Sequence, residues 1–177
     1  IMFRRNYLLN LCGVILVAIS FGVLLSSDEA NAQNAIATLA NGNYQLCSQP
    51  KPLDWRNGAG VCFNFTKTGD LVDGYYGYPH SDDFICVRGI AKVSLVKGEA
   101  LAISWGGRQW INIPEPEFKW DEEGHLFLKD GKVIRTAMDR GGRTEWILFS
   151  HAKLNTDGFY QYPQPFMTSP SQLCDWK

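Results

Sequence analysis

The chain is 177 residues long, 45% hydrophobic and 20% charged, with 17 basic against 18 acidic residues and a formal net charge of −1. That balance disfavours nucleic acid and anionic membrane surfaces as partners, and nothing in it implies a cofactor. Beyond a leader, the length fits one domain with a core of ordinary size.

In chain order the first element is a targeting segment. Arg4 and Arg5 precede an almost uncharged apolar run from Leu8 to Leu25, and Ala30 and Ala32 carry the small-x-small spacing of a signal peptidase site. Cleavage is expected after Ala32, which makes residues 1–32 a signal peptide. The competing reading keeps the 18-residue run as a membrane anchor, because it is long for a signal core and near the lower limit for a span. A lipid on Cys12 is disfavoured, since Asn10 and Leu11 are not the small residues a lipobox needs. Cleavage removes Arg4, Arg5, Asp28 and Glu29, two charges of each sign, so the mature chain keeps its net charge of −1. No stable membrane insertion is expected after it.

Residues 33–40 read as a flexible small-residue leader, and residues 41–177 as a single β domain. From Asn41 on, short runs rich in Val, Ile, Phe, Tyr, Trp and Thr alternate with Gly, Pro, Asn and Asp. No window holds a helical period. The expected fold is an all-β antiparallel meander forming a small β-barrel, with a β-sandwich as the alternative. "GVCFNFTK" turns at Thr68-Gly69-Asp70 into "LVDGYYGY", and Pro79 to Asp83 turns that strand into "FICVRG". With those turns Phe63, Tyr75 and Val87 form a core row, and Cys62, Tyr76 and Cys86 form the next row on the opposite face. The following pattern is too long for one strand and breaks near Lys92. Further on, Asp130-Gly131 reads as a two-residue type I′ turn between Lys129 and Lys132. A second hairpin reads at Gly141-Gly142, setting Trp146 against Ala137 and Ile147 against Thr136.

Of five cysteines Cys12 leaves with the signal, and the four that remain, Cys47, Cys62, Cys86 and Cys174, read as two disulfides in an oxidising compartment. A zinc site competes, but no pair has C-x-x-C spacing and His80, His125 and His151 do not cluster with them. Cys62 and Cys86 lie two strands apart, roughly 9 to 10 Å, which exceeds the separation of about 7 Å that a disulfide closes. The loop from Pro50 to Ala59 sets Cys47 opposite Cys62 and leaves Cys86 for Cys174, with Cys47–Cys174 still open.

One phrase occurs twice, "DGYYGYP" at 73–79 and "DGFYQYP" at 157–163. By the period of two, Tyr75 and Phe159 point to the core while Tyr76, Tyr78, Tyr160 and Tyr162 point to the other face. A tail bonded through Cys174 and carrying Phe166, Leu173 and Trp176 would cover that stripe. Packing is the preferred account; an aromatic ligand platform built on Tyr76 and Tyr78 is the alternative.

Other candidates divide in the same way. "SWGGRQW" puts Arg108 between Trp105 and Trp110, an arrangement suited to a sugar or carboxylate ligand; a Gly-Gly hairpin whose tryptophans fill the end of the fold is the plainer account. His80, Asp82 and Asp83 could bind a metal but are ordinary turn residues, so no metal site is expected. Glu115, Glu117 and Glu145 could supply a glycosidase pair, although sequence gives no separation between them. No G-x-S-x-G occurs, and every mature cysteine is committed to a disulfide. Asn64-Phe65-Thr66 matches a glycosylation sequon in mid-strand.

"GNYQLC", "GVCFNF", "GYPHSDDFIC" and "SQLCDW" together resemble secreted proteins of cyanobacteria. That resemblance implies localisation and no activity. The G-x-Y opening followed by a meander also looks like lipocalin and avidin barrels, which implies a barrel able to hold one small ligand. The expected protein is a periplasmic or secreted module that binds a small molecule or glycan, or is purely structural. Its runner-up is a hydrolase of cell-envelope glycan. Amino-terminal sequencing of the exported protein should begin at Gln33; a full-length leader in the membrane fraction would favour the anchor instead.

Overall fold

The computed structural model describes residues 35–104, 112–163 and 173–176. Among them nine strands make one antiparallel sheet, curled into a half-barrel. They are β1 Gly42–Cys47, β2 Cys62–Thr68, β3 Leu71–Gly77, β4 Phe84–Lys92, β5 Leu95–Ser104, β6 Phe118–Lys119, β7 Leu126–Asp139, β8 Gly142–Asn155 and β9 Tyr160–Gln161. The order across the sheet is β6-β7-β8-β5-β4-β3-β2-β1-β9. The first five strands are therefore the expected meander, including the break after Lys92. The next three enter in reverse, with β8 beside β5. Both edge strands, β6 and β9, are two residues long, and short edge strands offer little template for pairing with another chain.

Inside the curl, alternate residues of seven long strands interdigitate. Phe63, Phe65, Tyr76, Ile85, Val87, Leu126, Ile147 and Phe149 are all fully buried there, so side chains fill the concave face. Phe159, just before β9, sets its ring edge-on to His125, just before β7, at 4.8 Å between centroids. From Ala35 onward the expected loose leader is packed. A short 3-10 turn, Ile36–Thr38, buries Ile36 completely, and the Ala37 amide donates to the Val93 carbonyl at 3.0 Å.

Tight curling needs small residues where strands approach. Gly89 pairs with Gly98, and that row continues to Ala152. A Cβ on Gly98 would run into the Arg88 carbonyl oxygen and come within 2.6 Å of the Gly89 Cα.

Both expected disulfides are present, Cys47–Cys62 and Cys86–Cys174. Cys47 stands directly opposite Cys62 in the β1–β2 ladder, as the register required. Four expected turns are corrected, one of them between β3 and β4, where Gly77 pairs with Phe84 and the connection runs from Tyr78 to Asp83 rather than from Pro79. Between β2 and β3 the turn has two residues, with Thr68 paired to Leu71 and only Gly69 at positive φ, +59°. Glycine at the first central position suits a two-residue hairpin turn, where three residues were expected. The register moves by one, and every side chain of β3 changes face. Tyr76 now lies in the core row with Phe63 and Ile85, while Tyr75 joins Asn64 and Cys86 on the outer face.

The Asp130-Gly131 turn does not form; β7 runs straight through it. Asp130 does adopt the positive φ a type I′ turn starts with, +58°, but Gly131 does not follow, and a type I′ turn needs both. Instead the inward pattern steps by three on both strands, from Leu128 to Gly131 and from Phe149 to Ala152. Gly131 is required by packing, because a Cβ there would lie 2.5 Å from both Ile113 and the Phe149 ring. The last hairpin turns at Arg140-Gly141, since Asp139 pairs with Gly142. Trp146 consequently faces Arg135 and Ile147 faces Val133.

The tyrosine phrase behaves differently in its two copies. Phe159 is in the core, Tyr160 is exposed and Tyr162 is buried against the Cys47–Cys62 pair, as the period of two predicted. In the first copy the shifted register inverts Tyr75 and Tyr76. The tail does cover the outer face: Leu173, Cys174 and Trp176 pack on Tyr75, Cys86 and Leu101. Phe166 lies outside the described residues. Replacing Gly98 by alanine should lower stability by roughly 1–3 kcal/mol, because backbone must shift to admit the methyl group. Urea unfolding measures this, and an unchanged midpoint would contradict so close an approach of β4 and β5.

Candidate functional site

Expected site residues Tyr76 and Tyr78 are brought together on the core side of the sheet, where both contact the hydrophobic cluster. Trp105, Arg108 and Trp110 lie outside the described residues. The partners of the tyrosines come from the connection between β6 and β7, "WDEEGH", to which sequence alone assigned no element. Asp121 shapes that turn. Its Oδ1 accepts from the backbone N–H of Gly124 at 2.7 Å and of His125 at 3.1 Å, and its Oδ2 accepts from Leu126 at 2.9 Å. Gly124 takes a positive φ of +78°, which closes the loop and returns the Trp120 amide to the Leu126 carbonyl. An aspartate followed by a glycine three residues later is the signal that could have located it.

The turn carries Trp120 onto Tyr76, with ring centroids 5.7 Å apart and planes tilted by 58°. Tyr76 is fully buried, and among the described residues its hydroxyl makes no hydrogen bond of ordinary length, the Asp121 carboxylate being the polar group that acts on it most. Burial first, and then the negative charge of nearby Asp121, pushes its phenol far above the ordinary tyrosine range. It therefore stays protonated, a donor held beside a carboxylate. Tyr78 is also pushed up, chiefly by burial, while a hydrogen bond to the Glu122 backbone acts in the opposite sense.

Beside these rings opens a cavity of ≈ 410 Å³ lined by Tyr78, Asp83, Trp120, Asp121 and Glu122. Two aromatic walls and three carboxylates line it, and no cationic residue does so among the described residues. Such a lining can accept hydrogen bonds from hydroxyls and offer a ring face to C–H groups, and it repels anions. Next in the turn, Glu123 lies 3.2 Å from the His125 ring.

The remaining candidates are structural. In "PHSDD" the Ser81 hydroxyl accepts from the Asp83 amide at 3.0 Å and His80 has a φ of +62°, which makes the segment a turn; only Asp83 reaches the cavity. Among the described residues no group of three His, Cys, Asp or Glu could hold a metal ion. Glu117 is paired with Lys153 at 2.7 Å and Glu145 with Arg143 at 2.6 Å, while Glu115 is exposed. Asn64 of the sequon is 2% exposed and donates to the Tyr75 hydroxyl at 3.3 Å, so folded protein offers it to no glycosylating enzyme. Asp130, His151 and Ser150 do converge, but Asp130 Oδ2 and Ser150 Oγ face the same ring nitrogen, His151 Nδ1, at 2.8 and 3.3 Å. A proton relay needs its base and orienting groups on different nitrogens, so this trio is a surface ion pair.

Comparison of the chain with protein-family models, with curated proteins and with solved structures returned no match. Chemistry alone must then argue for the site. Tyr76→Phe should leave stability unchanged or raise it by about 1 kcal/mol, because among the described residues the lost hydroxyl makes no hydrogen bond of ordinary length. Asp121→Ala should cost about 3 kcal/mol, since three backbone donors lose their acceptor at roughly 1 kcal/mol each. Equilibrium unfolding of both variants checks the pair, and a large loss in Tyr76→Phe would mean that the hydroxyl is bonded.

Proposed function

We propose that this protein is a periplasmic or secreted, non-enzymatic binding module of the cell envelope that takes a neutral glycan or other small polyol at the Tyr78–Trp120 cavity. The observation that carries the reading is the lining: two aromatic rings, Tyr78 and Trp120, beside the carboxylates of Asp83, Asp121 and Glu122. The weakly positive C–H faces of a sugar ring sit on the negative face of an indole or phenol, and its hydroxyls donate to carboxylate oxygens. An anionic ligand would meet three like charges. Because the concave face is filled by side chains, the ligand would sit at the rim of the half-barrel, where lipocalin-like barrels hold theirs inside.

Two disulfides fit an oxidising compartment, and among the described residues no helix is long and apolar enough to cross a membrane. The alternative, hydrolysis of envelope glycan, is supported less well. Glu117 and Glu145 are engaged in ion pairs, and Asp121 spends both oxygens on its own turn.

A screen of neutral oligosaccharides followed by calorimetric titration tests the reading. Wild-type protein should bind at least one of them. Glu122→Ala, a change at an exposed position, should weaken it by about tenfold, equivalent to ~1.4 kcal/mol. Its melting temperature should stay within the ~0.5 kcal/mol typical of surface changes. Failure of the wild type to retain any glycan across the screen would end the proposal.

A further inference from the structure

The two disulfides stand in different surroundings. Cys47 and Cys62 are both fully buried, with Ala59 and Tyr162 packed around them. Cys86 is equally buried, but its partner Cys174 is partly exposed and lines an open groove of ≈ 610 Å³ on the outer face. Thr68, Ile90 and Lys97 line the same groove, and its charges balance, Arg88 and Lys97 against Asp73 and Glu99. Thiol–disulfide exchange requires a thiolate to reach one sulfur, so access decides which bond reacts. We propose that Cys86–Cys174 is a site of thiol–disulfide exchange, reached by a dithiol reductant through this groove, and that the bond clasps the carboxy-terminal segment over the outer face. This rests on geometry separate from the glycan cavity.

The step balances with the dithiol as electron donor. Its thiolate attacks Sγ of Cys174, the bond to Cys86 breaks, and Cys86 leaves as a thiolate that takes up a proton. The second thiol of the reductant then attacks the mixed disulfide, releasing Cys174 and leaving the reductant oxidised to its own disulfide. Two electrons have passed from the dithiol to the protein.

Without the bond, the described part of the segment is held by the packing of Leu173 and Trp176 on the outer face and by polar contacts that water screens. The Trp176 ring lies 4.2 Å from the Arg88 guanidinium and its Nε1 donates to Asp73 at 3.2 Å, while Arg135 meets Asp175 at 3.3 Å. Release uncovers Tyr75 and Leu101, now 3% and 0% exposed, together with Phe84 and Leu148. An apolar patch would then appear on a face that is closed while the clasp is intact.

Native protein treated with dithiothreitol, quenched with iodoacetamide at intervals and mapped by peptide mass tests this. Cys86 and Cys174 should carry label on the order of tenfold sooner than Cys47 and Cys62, with tryptophan fluorescence changing and far-ultraviolet dichroism unchanged. Ile90→Trp, which fills the groove, should slow labelling of Cys174 without altering the rate at Cys47. Simultaneous opening of both disulfides, prior opening of Cys47–Cys62, labelling only with loss of dichroism, or an Ile90→Trp variant that folds and exchanges as fast as wild type would each overturn the proposal.

Discussion

A two-residue turn at Gly69-Asp70 sets the register on which the site and the outer face both depend. Because side chains alternate with a period of two, the length of that turn decides which of two adjacent tyrosines enters the core. With Thr68 opposite Leu71, Tyr76 points inward to Trp120 and Tyr75 outward to Cys86. The phenol that lies against Asp121, and the ring that the tail covers, are consequences of the same choice. One residue more in the turn would exchange them.

The outer face is closed by different means along its length. At one end Tyr162 donates to the Gln49 carbonyl at 3.0 Å and lies over Cys47–Cys62. Elsewhere Leu173, Cys174 and Trp176 lie across Tyr75 and Leu101. An antiparallel sheet with one solvated face would show polar residues there. This sheet instead carries Cys86, Leu101 and Tyr75, so something had to cover them, and the chain's own final residues do so. The duplicated tyrosine phrase therefore serves two separate coverings rather than one continuous aromatic stripe.

Curling and filling go together on the inner face. Gly89, Gly98 and Ala152 form a row so close that added side chains would collide, and larger residues on neighbouring rows fill the space the curvature creates. A filled interior moves any ligand chemistry to the rim, where loops carry polar groups that a core would exclude. The carboxylates of Asp83, Asp121 and Glu122 lie there, beside rings that belong to the core cluster.

The all-β class, the two disulfides with their pairing, and the break after Lys92 were legible from sequence, because they follow from residue type, alternation and the reach of a disulfide. Local chemistry misled where it was ambiguous. Tyr75 and Tyr76 are both aromatic, so alternation could not tell the inner from the outer one. Asp130-Gly131 has the composition of a hairpin turn, yet a fourteen-residue ladder with β8 passes through it, and the glycine answers to Phe149 and Ile113. Trp120, Asp121 and Glu122 carried no motif; only folding brings their turn against β3, more than forty residues earlier in the chain. Sequence determined which segments could be strands and which cysteines could meet. Register, strand order and the meeting of Tyr76 with Trp120 and Asp121 were decided by tertiary pairing, because they depend on contacts between residues distant in the chain, which local composition does not encode.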